Sequence, residues 1–295
     1  MNLVYKEIKQ SLDQLHSQYR SEVLSDPIQF PRQFGNPKDQ EIIALVSALY
    51  AFGNVKMIFN TLKNIFEFIG DHPYKKITSL KPNELKYYSF VQHRWISPTD
   101  TQSILLLLQS ILKKHETLER SFMQFYQPQD ETLEASISNW IKYLQTKLIE
   151  LQKKPLTRGQ KFLLASPSGG STSKRILMFL RWMVRDQEPD LGLWKKVSSS
   201  QLLMPLDAHL FRFSQYLGFT KRKQHGWKAV MESTSHFRKI DPMDPVRYDF
   251  ALARLGILNL CTHKVQEKTC SPCLIRDHCQ LFKRSRKAKS FDLHL

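Results

Sequence analysis

The chain has four cysteines, Cys261, Cys270, Cys273 and Cys279, all between residues 261 and 279, in the spacing C-x8-C-x2-C-x5-C. A secreted disulfide framework spreads its cysteines through the fold, so this crowding points instead to a metal held in a reducing compartment. Thiolates are soft ligands, and four of them on one short loop can wrap an iron–sulfur cluster or a tetrahedral zinc ion. A zinc ribbon pairs two C-x2-C knuckles across a hairpin. Here there is one knuckle and no strand pattern beside it, which favours a [4Fe-4S] cluster and keeps structural zinc as the alternative.

Two further side chains have types and positions suited to chemistry. Asp207, in Pro205-Leu206-Asp207-Ala208-His209-Leu210-Phe211-Arg212, stands at the start of a predicted helix. A carboxylate can in general take part in acid–base chemistry. The same placement suits an ordinary N-cap. Lys174 opens the helix that follows Pro167-Ser168-Gly169-Gly170-Ser171. A lysine with its ordinary pKa of about 10.4 must lose a proton before it attacks a carbon, so burial or the charge of Arg175 would have to lower it. Otherwise Lys174 faces phosphate or solvent. Gly169 and Gly170 permit close backbone approach, and a helix N-terminus attracts an anion, so this loop is a candidate phosphate site. A plain flexible loop is the alternative.

These residues must be positioned by helices. Apolar residues recur at helical spacing almost throughout, and period-two alternation is not sustained, so the chain reads as all-α. Asn36-Pro37 opens a helix through Ile42, Ile43, Leu45, Val46 and Leu49, stopped at Gly53. A second runs from Val55 to Ile69 and ends at Gly70; Ser97-Pro98 with Asp100 caps a third leading into Ile104 to Leu112; a fourth covers Glu131 to Leu151. The stretch Leu164 to Ser173 breaks the pattern before a dense helix from Lys174 to Val184. Further helices are predicted at Leu206 to Leu217, ended by Gly218, at Trp227 to Phe237, and at Pro245 to Leu258 with Asp244 as N-cap. Trp182, Phe179, Leu180 and Met183 are assigned to the core. So are Tyr50 and Phe52, with insertion into a duplex as the alternative for either. Trp95 and Phe90, near Arg94, could line a base pocket, though nothing in the sequence singles them out. Lys283, Arg284, Arg286, Lys287 and Lys289 form a basic tail, expected to be mobile.

Lys and Arg outnumber Asp and Glu by 44 to 27, a formal charge of +17 that attracts polyanions, nucleic acid first and an anionic membrane surface second. A hydrophobic fraction of 41% is ample for a core and excludes intrinsic disorder. No run approaches the roughly 18 apolar residues of a membrane span, and the first ten residues do not read as a signal peptide, so a cytoplasmic protein is expected.

The single C-x2-C followed by C-x5-C resembles the C-terminal loop of endonuclease III and its relatives in the helix-hairpin-helix DNA glycosylase superfamily, where it holds a [4Fe-4S] cluster. The first gap is longer here. Pro205 to Arg212 is similar to the V-D-T-H-[VI]-x-R segment of those enzymes, and Pro167 to Ser171 occupies the place of their L-P-G-[VI]-G hairpin. The likeness covers Leu164 to Phe282 and, more weakly, Glu41 to Asn54, and leaves residues 69–160 unmatched. The phrases KRILMFLRWMVR, PLDAHLFR and DPVRYDFALARLGI look like those of a bacterial family known only as one of unknown function.

This resemblance implies a two-lobed all-α fold: a helical barrel over residues 36–199, and a second lobe from residues 1–35 and 200–295 with the iron–sulfur loop. It implies a base-excision glycosylase, monomeric and nucleoid-associated, that binds damaged double-stranded DNA and flips out a base. Asp207 would carry catalysis, and Lys174 would be the Schiff-base nucleophile if the enzyme is also an AP lyase. Gly169, Gly170, Ser171, Arg175, His209 and Arg212 would contact DNA. Lys174 precedes Asp207 by 33 residues (207 minus 174), more than in endonuclease III, so Asp186 to Ser200 is read as an insertion. A catalytically inactive iron–sulfur DNA-binding protein on the same scaffold is the main alternative, and a zinc-stabilised RNA-binding protein a third.

Overall fold

A computed structural model describes residues 3–21 and 23–292, with side chains through Arg286. Among the described residues there is no strand, only an isolated bridge between His93 and Ile96. In chain order the helices are α1 (Leu3–Tyr19), α2 (Pro37–Tyr50), α3 (Val55–Ile69), α4 (Pro73–Thr78), α5 (Pro98–His115), α6 (Leu118–Met123) and α7 (Glu134–Gln152). There follow α8 (Arg158–Leu163), α9 (Lys174–Val184), α10 (Ala208–Tyr216), α11 (Trp227–Ile240), α12 (Asp249–Ile257), α13 (Glu267–Cys270) and α14 (Gln280–Asp292). None is long and apolar enough to cross a membrane.

The chain divides into two compact units, one of residues 22–198 and one of residues 1–21 with 199–295. Residues 22–35, expected with the N-terminal helix, belong to the first unit. Two short 3-10 turns at Pro27–Gln29 and Pro31–Gln33 carry Ile28 and Phe30 inward, and Phe30 packs on Phe59 and Phe66 of α3, both at 5.3 Å between ring centroids.

In the first unit α2 is the central helix. Its side chains from Glu41 to Tyr50 are all buried, as expected of a helix surrounded by neighbours, and it packs against α3, α4 and α9. Capping fixes the helix starts. Asn36 accepts from the Lys38 amide at 2.9 Å, Asn54 from Lys56 at 2.8 Å, and Ser97–Asp100 and Thr157–Gln160 are reciprocal capping boxes. Helix α2 stops at Tyr50, three residues short of Gly53. Ala51 caps it, and Gly53 takes φ +100° in the loop beyond. Helix α7 starts at Glu134 rather than Glu131, after Leu133 as N-cap.

The segment read as an insertion is folded back on α9. The Leu191 and Trp194 amides donate to the Trp182 and Met183 carbonyls at 2.8 Å each, and Asp190 is buried between Arg181 and Arg185. The Trp194 indole donates to Glu41 at 2.6 Å. Burial pushes the Glu41 carboxyl up, opposed by this bond and by the amides of Leu118 and Glu119. Trp182, Phe179, Leu180 and Met183 are fully buried, and Tyr50 is buried with its hydroxyl 2.7 Å from that of Thr101.

In the second unit α1 buries Ile8, Leu12 and Leu15 and packs against α11 and α12, with Tyr248 donating to Asp13 at 2.8 Å. Helix α12 begins at Asp249, not Pro245, and its N-cap is Tyr248 rather than Asp244. Residues 244–249 form two successive turns, Arg247 amide to Asp244 carbonyl and Asp249 amide to Val246 carbonyl, which delay the helix. Helix α10 likewise starts at Ala208, two residues after Leu206. The expected tail is helical: Lys283, Arg284 and Arg286 lie on α14, while the Lys287 and Lys289 side chains fall outside the described residues.

Candidate functional site

After α12 the backbone turns repeatedly, and each turn places a cysteine. The Cys261 amide donates to the Leu255 carbonyl at 2.8 Å, and Asn259 and His263 on either side take positive φ. Cys270 closes the short α13. The Cys273 amide donates to the Cys270 carbonyl at 3.2 Å, and that of Cys279 to Arg276 at 3.0 Å. All four thiols are free and half-buried, and all four line one cavity with about 450 Å3 of empty space, part of it open to solvent. Phe213 and Tyr216 of α10 and Leu281 and Phe282 of α14 form part of its wall.

Burial pushes the Cys261 and Cys273 thiols up, and the neighbouring cysteines push further in the same direction. The Tyr216 hydroxyl is raised by burial and then by Cys261 and Cys279. Among the described residues no set of three or more His, Cys, Asp or Glu side chains is placed to hold a metal ion; the four cysteines line the same cavity without converging on one point. Thiolates are soft donors, and four of them on one loop are a donor set of the kind that an iron–sulfur or zinc centre takes.

Helix α10 lies against this loop. Asp207 is its N-cap: one carboxylate oxygen accepts from the Leu210 amide at 2.9 Å, and Oδ2 has no hydrogen-bond partner among the described residues. His209 is half-buried and its ring stacks on His263 at 5.9 Å, which lies 3.9 Å from the Cys261 sulfur and 3.4 Å from the Tyr216 hydroxyl. Burial lowers the His263 pKa, helped by Arg212 and His209. Arg212 is exposed on the same helix. Thus Asp207, His209, Arg212 and the four cysteines share one unit.

Gly256 of α12 makes room for His209, since a Cβ at 256 would fall well inside contact distance of the imidazole. Gly256→Ala is therefore expected to lower the stability of this unit by about 1–3 kcal/mol in a urea melt, the usual range for overpacking. A loss under about 0.5 kcal/mol would mean that His209 simply swings away.

Gly169, Gly170, Ser171, Lys174 and Arg175 belong to the other unit. Here α8, a ten-residue loop over 164–173 and α9 make a helix–loop–helix. Pro167–Gly169 is a 3-10 turn, and Gly170 takes φ +75°, a conformation that glycine adopts without strain. A Cβ at either glycine would meet nothing within 4 Å, so the loop surface is open. Ser173 heads α9 without a side-chain cap, its hydroxyl donating instead to the Ala165 carbonyl at 3.0 Å. Lys174 is half-buried. Arg175 points inward: it donates to the Phe162 carbonyl and stacks over the Phe162 ring at 3.7 Å. Phe162, which sequence reasoning passed over, and Phe52, Trp95 and Arg94 meet in this region. No periodic signal links them.

No curated protein and no solved structure matches the chain. One family model does, over residues 26–258, a span that closes before Cys261. That span is well over half of the chain, and the protein belongs to the family described as protein of unknown function (DUF2400).

Proposed function

We propose that this protein is a DNA N-glycosylase on a helix-hairpin-helix scaffold, which binds damaged double-stranded DNA, turns a nucleotide out of the stack and releases its base. Cys261, Cys270, Cys273 and Cys279 would hold a [4Fe-4S] cluster, whose contribution when bound is to fix the loop so that Lys264, Lys268 and Arg276 meet the backbone. The observation that carries this reading is that all four cysteines line one cavity, whose wall includes Phe213 and Tyr216 of α10, the helix that Asp207 opens. With Oδ1 engaged in the cap, Oδ2 is the oxygen left for chemistry. It would stabilise positive charge on the sugar and take a proton from attacking water as the C–N bond breaks and a C–O bond forms, the base leaving with its electron pair. The open loop at Gly169 to Ser171, ahead of α9, suits a backbone phosphate. Such a protein would be found in the cytoplasm on the nucleoid and work as a monomer.

The test is base release from duplexes carrying oxidised, alkylated, deaminated or abasic sites, with borohydride to trap a Schiff base. Asp207→Asn is expected to lower release by at least 100-fold, on the scale of a lost acid–base group, and to leave DNA affinity within about twofold of wild type. Loss of trapping in Lys174→Ala would assign the lyase nucleophile. If about six phosphates are neutralised, log affinity falls against log salt with a slope near −5.

A catalytically inactive DNA-binding protein on the same scaffold is favoured by one observation, the use of Asp207 as an ordinary N-cap. No release from any lesion by a wild-type protein that binds DNA would decide for it.

A further inference from the structure

Where α2 ends, three rings from distant segments meet: Phe52 from the loop, Trp95 from the turn before α5 and Phe162 from α8. Their centroids lie 5.4 Å (Phe52–Trp95), 4.8 Å (Phe52–Phe162) and 4.9 Å (Trp95–Phe162) apart. Two arginines bracket them, Arg94 over Trp95 at 4.7 Å, and Arg175 over Phe162 at 3.7 Å and Phe52 at 5.3 Å. Gly53 lets Arg94 lie close, since a Cβ there would come within 3.2 Å of its Cδ.

The two sides of this cluster are unusual for different reasons. Arg175 is 8% exposed, its Nε has no hydrogen-bond partner, and no carboxylate pairs with it among the described residues. Burial alone pushes its pKa down to about 9. Farther along the same helix Arg181, and at its C-cap Arg185, are buried as well, but both are paired with Asp190. A buried cation without an anion is costly, and the ring faces and the Phe162 carbonyl offset that cost without neutralising the charge. On the outer side the rings are not sealed: Trp95 is 40% exposed, Phe52 and Phe162 are half-buried, and Arg94 is exposed. An accessible π surface with uncompensated positive charge matches a partner that is flat and anionic. In a chain of net charge +17, that description fits an unpaired nucleotide better than an apolar peptide or a second copy of the chain.

We propose that Phe52, Trp95 and Phe162 form a stacking platform for an unpaired nucleobase, with Arg94 and Arg175 supplying the charge that holds the attached phosphate. The platform rests on the nucleic-acid partner named above and not on base excision. Paired duplex keeps its bases stacked on one another, so the platform adds affinity only for single strands, bulges or extruded bases. It accounts for Arg175: the charge is uncompensated until the nucleotide arrives.

The test uses the full chain and fluorescence anisotropy with four probes: a dT12 strand, an abasic oligomer of the same length, a paired duplex, and that duplex with one bulged thymine. Trp95→Ala is expected to weaken dT12 and the bulged duplex about tenfold, within the range for loss of one stacked base. The paired duplex and the abasic oligomer should change less than twofold, and Trp95→Phe should retain most of the affinity. Arg175→Met is expected to leave the melting temperature unchanged or higher while weakening dT12, which a purely structural arginine would not do. Equal loss on all four probes, unaltered dT12 binding in Trp95→Ala, or no binding of any nucleic acid by wild type each overturns the platform. Base release is read separately: a protein that discriminates dT12 through Trp95 yet releases no base keeps the platform and loses the glycosylase.

Discussion

If the proposed [4Fe-4S] cluster is present, Cys273→Ala is expected to lower bound iron from about four atoms per chain to near none, and to remove with it the absorbance near 400 nm typical of iron–sulfur charge transfer. Cys273 occupies the middle of the loop: its amide donates to the Cys270 carbonyl and its own carbonyl accepts from Arg276, at 3.2 and 3.0 Å. Its replacement removes one soft ligand of four and leaves three thiols around a partly apolar cavity. Metal binding and loop folding are coupled when a site is built from a loop, so the effect should reach beyond colour. Lys264 and Lys268 are exposed in the same loop and give trypsin its points of attack. Wild type purified anaerobically should resist cleavage there, and Cys273→Ala should be nicked. Colourless wild type carrying about one zinc per chain would assign the tetrahedral alternative. Wild type with neither metal, and a tryptic pattern identical to that of the variant, would remove the metal from the proposal altogether.

The parts of the fold that could be read from sequence are those decided by neighbours in the chain. Helices α3 and α5 begin where Asn54 and Ser97 offer an oxygen to an unpaired amide, and α3 ends where Gly70 supplies a positive φ. That the four cysteines line one cavity was equally visible, because a short loop keeps close residues near one another whatever surrounds it. What failed was local in appearance only. Asp244 looks like a cap, yet successive turns through Val246 and Tyr248 place the helix start four residues later (248 minus 244). Glu41, on a helix read only for its apolar residues, is buried as well. Its partner Trp194 lies 153 residues away, so no window of sequence contains the reason for its burial. The proposed aromatic platform was legible only in part: Phe52 and Trp95 could each be read as nucleic-acid contacts, but Phe162 could not, since the three rings come from a loop, a turn and a short helix with no common period. Asp207 is a different case: its type and place were legible, but both of its candidate roles begin from the same cap.

Asp190→Asn tests the segment read as an insertion, and the expected effect is large. The side chain is fully buried, with Oδ1 3.1 Å from Arg181 and Oδ2 closer still to Arg185. It holds the stretch from Arg185 to Trp194 against α9, which positions Trp194 over Phe179 at 5.4 Å and against Glu41. Removing one partner of a buried ion pair costs about 3–5 kcal/mol, because the charges left behind remain desolvated. For a unit of this size each kcal/mol moves the melting temperature by roughly 2–4 °C, so a fall of roughly 10 °C is expected in the transition of residues 22–198. Exchanging the whole triad for apolar residues of similar volume should cost far less, since no charge is then stranded. The comparison with Arg175→Met is the informative one. Both variants alter the charge balance on one helix, and they should move stability in opposite directions: down sharply where an arginine loses its carboxylate, unchanged or up where the arginine never had one. A fall of under 1 kcal/mol in Asp190→Asn would mean that water reaches the two arginines, and that the segment after α9 is held by its backbone bonds and Trp194 alone.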